Sequence, residues 1–217
     1  MDGILVNSEP LWFEAETAVM ARLGGSWADG DQQLLVGGSM AVTVAHLLGK
    51  ASRAVEPAVV ERWLVDSMAT LLTSGPLPVM PGARELVAQI ATAGLPHALV
   101  TSSEPEIMDA VLAGFGASFP VTVCAGDVSA CKPDPEGYLL AAAKLAVDPR
   151  RCLVLEDSPN GVAAAEAAGC LAVAVPGVVP IPAAPGRLVV SSLVELSLPR
   201  LRAEFARLRP EFGPATA

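Results

Sequence analysis

From Leu11 to Ser74 the apolar positions recur at helical spacing. Trp12, Ala15, Val19 and Leu23 form one such stripe, and Gly24-Gly25 closes it. Met40 to Leu48 and Glu56 to Leu72 repeat the pattern, the second with acidic residues near its start and no glycine or proline beyond Pro57. Only Leu34-Leu35-Val36 in this half fits a strand as well as a helix. The proline- and glycine-rich SGPLPVMPG, Ser74 to Gly82, predicts a linker.

Beyond Gly82 helical and strand-like runs alternate. The spacing predicts helices over Ala83–Ala93, Glu104–Ala113, Pro135–Leu145 and Val162–Ala168, with Gly94 and Gly169 closing the first and last. Between them lie short apolar runs of strand character: His97–Val100, Val121–Cys124, Cys152–Leu155 and Leu171–Val175. Leu188–Val190 adds a further strand, followed by a helix near Leu193–Leu208. Apolar strands alternating with helices predict a parallel sheet covered on both faces.

The chain opens with Asp2-Gly3, a short apolar run and the turn-like Asn7-Ser8-Glu9-Pro10, which reads as the tail of a strand. The layout is therefore α/β: a Rossmann-like parallel sheet core formed by residues 1–8 and 80–217, with an all-helical cap of about 65 residues inserted at 9–79. An insert after the first strand sits over the carboxyl edge of the sheet, where ligands bind in such folds.

Composition narrows the picture. With 217 residues, 52% of them hydrophobic, the chain can bury a sizeable core. A formal charge of -9 opposes nucleic acid or an anionic membrane as partner. It leaves room for a small anionic substrate, because one lysine or a metal reverses the sign locally. Cys124, Cys131, Cys152 and Cys170 lack C-x-x-C spacing and read as buried thiols. The N-terminus has no basic segment with a cleavage site. The uncharged stretch Gly169–Gly186 is broken by four prolines, so it cannot form a membrane helix. A cytoplasmic protein, monomeric or weakly dimeric, is the expectation.

Chemistry-bearing residues fall at the ends of the predicted strands. The first ends at Asp2, the second at Thr101-Ser102-Ser103 and the fourth at Glu156-Asp157, while Lys132-Pro133 follows the third. In a parallel sheet these ends share one edge. Carboxylates, hydroxyls and a lysine together suit Mg²⁺ and a phosphate group, the oxygens holding the metal and the ammonium and N–H groups the anion. Taken alone, Thr101-Ser102-Ser103-Glu104 is also a helix N-cap, and Ser158 a cap for the helix after it. Adjacent carboxylates at the end of an apolar strand repel one another, which a cation would relieve.

These residues resemble the haloacid dehalogenase superfamily, in its phosphatase and β-phosphoglucomutase-like branch with a helical cap. Asp2-Gly3 with Asn7-Ser8-Glu9-Pro10 looks like the back of its first motif, D-x-D-G-x-L-x-D-S-E, with Asn7 in place of an aspartate. Val100-Thr101-Ser102 and Lys132-Pro133 look like the second and third motifs. Glu156-Asp157-Ser158 with Gly161, Ala164-Ala165 and Gly169 matches the fourth. The resemblance implies a Mg²⁺-dependent phosphatase of small phosphorylated metabolites, sugar or polyol phosphates, acting through an aspartyl phosphate. Asp2 would be general acid and base and, through its backbone carbonyl, a metal ligand, with Asp157 the main side-chain ligand and Glu156 nearby. Thr101, Ser102 and Lys132 would hold the phosphoryl oxygens, Lys132 as a catalytic cation.

By the same resemblance the nucleophile would stand immediately before Met1, outside this sequence. A start assigned too late, a trimmed chain or a protein that has lost its nucleophile would each account for that; loss of half a central strand favours the first. In the third case the protein would bind a phosphometabolite without turning it over. A mutase of the β-phosphoglucomutase kind is the other alternative, but Glu9–Glu16 lacks the expected histidine, and Met40 stands near where an arginine would fall. Trp12 and Met40 are candidates to shape the pocket. A separate reading, a serine hydrolase built on Gly37-Gly38-Ser39-Met40-Ala41 with Asp66 and His97, has its histidine at the wrong end of a strand.

Overall fold

The computed structural model describes residues 1–35 and 38–212. Four helices come first: α1 (Glu9–Arg22), α2 (Asp29–Gln33), α3 (Met40–Lys50) and α4 (Pro57–Thr73). The alternating body follows as α5 (Ala83–Thr92), β1 (Ala98–Val100), α6 (Pro105–Phe115), β2 (Val121–Val123) and α7 (Glu136–Lys144). It ends with β3 (Leu153–Glu156), α8 (Pro159–Ala167), β4 (Leu171–Ala174), β5 (Leu188–Val189) and α9 (Leu198–Leu208). Prolines in the first turns of α1, α4, α6, α8 and α9 fall where the missing N–H costs no helical bond. The short α2 was not anticipated; it has no buried residue and so leaves no apolar stripe to read. Leu34 and Leu35 lie in a turn, and Val36 of that ambiguous run lies outside the described residues, as does Gly37 of the glycine-serine motif.

All strand pairing among the named strands is parallel, as the alternation predicts. It falls into two pieces among the described residues, β1-β2 and β3-β4-β5. The N-terminal segment, expected as the tail of a strand, makes only isolated bridges at Asp2 and Val6. It curls instead of extending: Gly3 N–H donates to Val6 O at 2.9 Å and Leu5 N–H to Met1 O at 2.7 Å. Its apolar side chains still bind the two pieces, because Met1, Leu5 and Val6 are buried in one cluster with Leu99 of β1 and Val173 of β4.

Both faces of the strands are covered, with period two. Leu153, Leu155, Val173 and Leu188 join the cluster that holds α5, α6 and α9. Val154, Ala172, Ala174 and Val189 face the cluster that holds Tyr138 of α7 and Val162, Ala164 and Ala165 of α8. Alanine meets alanine where α8 crosses β4, so helix and strand approach closely. Among α1–α4, Val19, Met20, Leu47, Val60 and Leu64 form a third cluster. That cluster does not isolate these helices, since Ala15, Val65, Met68 and Leu72 belong to the body's cluster. The chain leaves and re-enters the body side by side: Asn7 N–H donates to Pro78 O at 2.7 Å and Met80 N–H to Leu5 O at 2.9 Å. Asn7, which stands where the family's motif has an aspartate, thus uses its backbone at this crossing.

No helix among the described residues is long and apolar enough to cross a membrane. Cys124 and Cys170 are buried as expected; Cys131 and Cys152 are only half-buried, and all four are free.

The close α8–β4 contact makes a specific prediction. Ala172 has no exposed surface, and Ala172→Leu should destabilise the protein by about 3 kcal/mol through overpacking. Urea unfolding checks it; a change within experimental error would show that this interface has slack.

Candidate active site

The ends of β1 and β3, the segment after β2 and the N-terminal residues converge on one cavity of about 160 Å³. Asp2, Thr101, Ser102, Lys132 and Asp157 line its floor, and α1 and α3 with the chain between them line its roof. Every site residue anticipated from the sequence therefore lies at this cavity, Glu156 included.

Asp2 is fixed at both oxygens. Ser8 Oγ donates to Oδ1 at 2.5 Å and Ser103 Oγ to Oδ2 at 3.0 Å. Thr101, 6% exposed, donates to Ser103 Oγ at 3.1 Å and accepts the Ser103 N–H at 3.1 Å. The Thr101-Ser102-Ser103 run thus orients the acid, and it does not cap α6, whose N-cap Glu104 makes no side-chain bond to the helix. Ser158, in contrast, does cap α8, accepting the Gly161 N–H at 3.1 Å. Ser8 and Ser103 were not singled out in the sequence as site residues. The hydroxyl run contained Ser103, but nothing in the spacing tells which hydroxyl turns back toward residue 2.

Lys132 Nζ donates to Glu156 Oε1 at 2.5 Å and to Val100 O at 3.2 Å. Tyr138, the chain's one tyrosine, also donates its hydroxyl to Glu156 Oε1. Burial and the neighbouring Glu156 charge push the phenol's pKa well above the usual value, so it remains a donor. Burial also pushes the Glu156 carboxyl up, but the Lys132 ammonium and the hydrogen bonds from Lys132 and Tyr138 more than offset it, leaving Glu156 below the ordinary value. Ser158 Oγ lies 3.5 Å from the other oxygen, Oε2. Glu156 is thereby engaged with Lys132 and Tyr138 and acts in this structure as their anchor.

No lysine or arginine pairs with Asp157 among the described residues, and the N-terminal ammonium lowers its pKa only in part. Burial, with the charges of Glu156 and Asp2, pushes it up to about 7. Two glycines make room for the carboxylates. A Cβ on Gly3, whose φ is +62°, would lie 1.9 Å from Asp157 Oδ2, and one on Gly161 would lie 1.9 Å from Glu156 Oε2.

The donor set suits a hard divalent cation. Asp157 supplies a carboxylate crowded by the charges of Glu156 and Asp2, the condition a Mg²⁺ ion relieves. No group of three His, Cys, Asp or Glu side chains among the described residues encloses an ion by itself. A metal here would complete its shell with backbone, substrate and water oxygens, as Mg²⁺ commonly does.

The serine-hydrolase constellation is not assembled among the described residues. Ser39 is the N-cap of α3, Asp66 pairs with Arg62 at 2.5 Å, and His97 Nδ1 bonds Leu95 O at 2.9 Å.

Comparisons with known proteins show the family. The family model for haloacid dehalogenase-like hydrolases matches residues 1–169; the chain belongs to that family. It is 37% identical over 181 residues to hexitol phosphatase B of Escherichia coli (strain K12), covering 81% of each chain. It is 33% identical over 176 residues to validoxylamine A 7'-phosphate phosphatase of Streptomyces hygroscopicus subsp. limoneus, covering 80% of this chain and 81% of that one. Among solved structures it is similar to CbbY from Rhodobacter sphaeroides in complex with phosphate, with a TM-score of 0.83 and 28% identity over 91% of this chain and 93% of that one.

Two substitutions test the geometry. Gly161→Ala lies in a helix, where alanine ordinarily stabilises by about 1 kcal/mol. Here it should destabilise by about 2 kcal/mol, because Glu156 must leave Lys132 and Tyr138; chemical unfolding gives the sign directly. Asp157 has a raised folded-state pKa, so its ionisation costs stability as pH rises from its ordinary value of 3.8 to about 7. Asp157→Asn should therefore raise metal-free stability at pH 8 by roughly 1–3 kcal/mol. It should also abolish stabilisation by added Mg²⁺. A variant no more stable than the wild type would refute the charge imbalance.

Proposed function

We propose that this chain forms the active site of a Mg²⁺-dependent phosphatase of sugar or polyol phosphates. The observation that carries the proposal is the convergence of Asp2, Thr101, Lys132 and Asp157 on one cavity roofed by helices. Residues 9–79 act as the cap, and 1–8 with 80–217 as the body that holds the phosphate, in the cytoplasm.

The phosphoryl group lies against Lys132, Thr101 and the Ser102 backbone. The ammonium, fixed by Glu156, offsets charge that builds on the phosphoryl oxygens during transfer. Asp2, steered by Ser8 and Ser103, gives a proton to the departing alcohol and then takes one from the hydrolytic water. The Asp157 carboxylate and the Asp2 backbone carbonyl would hold a Mg²⁺, which would supply positive charge to the phosphate, leaving the Asp2 carboxyl free for proton transfer. The aspartyl phosphate would form on the first carboxylate of the family's D-x-D motif, two positions ahead of Asp2.

Hydrolysis is favoured over a mutase reaction by charge. Lys132 is the one cationic side chain among the described residues that line the cavity, and Glu9 and Glu16 stand in the roof. A phosphorylated sugar intermediate needs a second site for a phosphate dianion, and an acidic roof repels it. In a chain carrying an aspartate directly ahead of Met1, Asp157→Ala should abolish Mg²⁺-dependent release of phosphate from glucitol 6-phosphate. Lys132→Ala should lower kcat/KM at least about 100-fold. Wild-type rates from either variant would overturn these roles.

A further inference from the structure

Glu16 has no part in the chemistry above, yet it is 4% exposed and lines the cavity. It shares one face of α1 with Glu9 and Trp12, the spacing of three and seven residues that a helix needs for a stripe. Trp27 Nε1–H donates to its Oε2 at 3.1 Å. Its other oxygen, Oε1, accepts no hydrogen bond from the described residues and is not sealed off, so it opens on the cavity. A carboxyl group this buried ordinarily has its polar atoms satisfied. Burial, reduced by the Trp27 bond and helped by the Glu9 charge, pushes Glu16 up to about 7. The same wall carries Gln32 and Thr43. Gln32 Nε2 donates to Glu9 O at 2.7 Å, which ties α2 to the start of α1 and holds that wall in place.

We propose that Glu16 selects the substrate's hydroxylated end. Its carboxyl group, held in the roof by Trp27, hydrogen-bonds hydroxyls of a polyol or sugar chain whose phosphoryl group lies at Lys132 and Thr101. This rests on the phosphatase reading of the floor and adds what the roof accepts. A carboxylate takes two hydroxyl donors, and a carboxylic acid gives one bond and takes another, so either form matches a run of hydroxyls. An alkyl chain would leave Oε1 buried without a partner, which costs affinity. A second phosphate or a carboxylate at that end would meet Glu16 and Glu9 with like charge.

Binding tests the proposal without requiring turnover. Calorimetry with Mg²⁺ compares inorganic phosphate, glucitol 6-phosphate and n-hexyl phosphate on wild type, Glu16→Leu and Glu16→Gln. The wild type should bind glucitol 6-phosphate about 10-fold more tightly than n-hexyl phosphate. Glu16→Leu should erase that preference and leave inorganic phosphate within about twofold, while Glu16→Gln, which keeps a donor and an acceptor, should retain most of it. A Glu16→Leu variant that weakens all three ligands equally would mean Glu16 only supports Trp27, and the proposal falls. If that variant does not fold, the wild-type ratio decides, since no preference for the hydroxylated ligand overturns the proposal. Phosphate binding without that preference removes the role of Glu16 and leaves the phosphatase reading standing. A wild type that binds none of the three removes both.

Discussion

The ion pair between Lys132 and Glu156 is the contact on which the rest of the site depends. Glu156 is 5% exposed at the end of β3, and a carboxylate at that depth is tolerable only if it is paired and hydrogen-bonded. Lys132 and Tyr138 supply the pairing, and Gly161 supplies the space. The same ammonium also bonds Val100 O at the end of β1. One side chain therefore joins the β1-β2 piece to the β3-β4-β5 piece at the edge that borders the cavity. Loss of either charged partner would strand the other in a low-dielectric setting and loosen that edge.

With Glu156 satisfied internally, its neighbour Asp157 is left with the excess charge. That division of labour follows from position. Glu156 faces α7 and α8, where Tyr138 and the Ser158 cap stand, while Asp157 comes one residue later and meets Gly3 and the N-terminal segment. The first carboxylate fixes the Lys132 ammonium at the cavity. The second, whose ionisation the fold does not compensate, is suited to hold a metal.

The roof is built on a different principle. Helices α1, α3 and α4 share a small apolar cluster, and α4 also contributes to the body's core. The two crossings near Leu5–Asn7 and Pro78–Met80 are paired by backbone bonds, and Ala15, Val65, Met68 and Leu72 pack into the same core as the strands, so these helices are held in both ways. Side chains chosen by α1's stripe then face a floor whose chemistry is general for phosphate esters. The roof differs from the floor in its acidic and amide groups, with no cationic side chain among the described residues that line it.

The sequence by itself determined the α/β class, the helical insert and the residues at the strand ends, because these rest on local periodicity and on motif spacing. The two-residue alternation that puts Leu153 and Leu155 on one face and Val154 on the other survives any packing detail. Nearly all helix and strand limits lay within a few residues of their expected places, α2 excepted. Tertiary structure decided who touches whom. That Glu156 anchors Lys132, that Ser103 turns to Asp2 instead of capping α6, that Tyr138 is buried against Glu156 and that Glu16 is buried beside Trp27 all depend on contacts between residues 11 to 101 positions apart. It also decided that the first residues curl and leave the sheet in two pieces. Periodicity reports which face of an element is buried; it carries no information on which distant polar group completes a hydrogen bond there, and the chemistry of this site is made of such bonds.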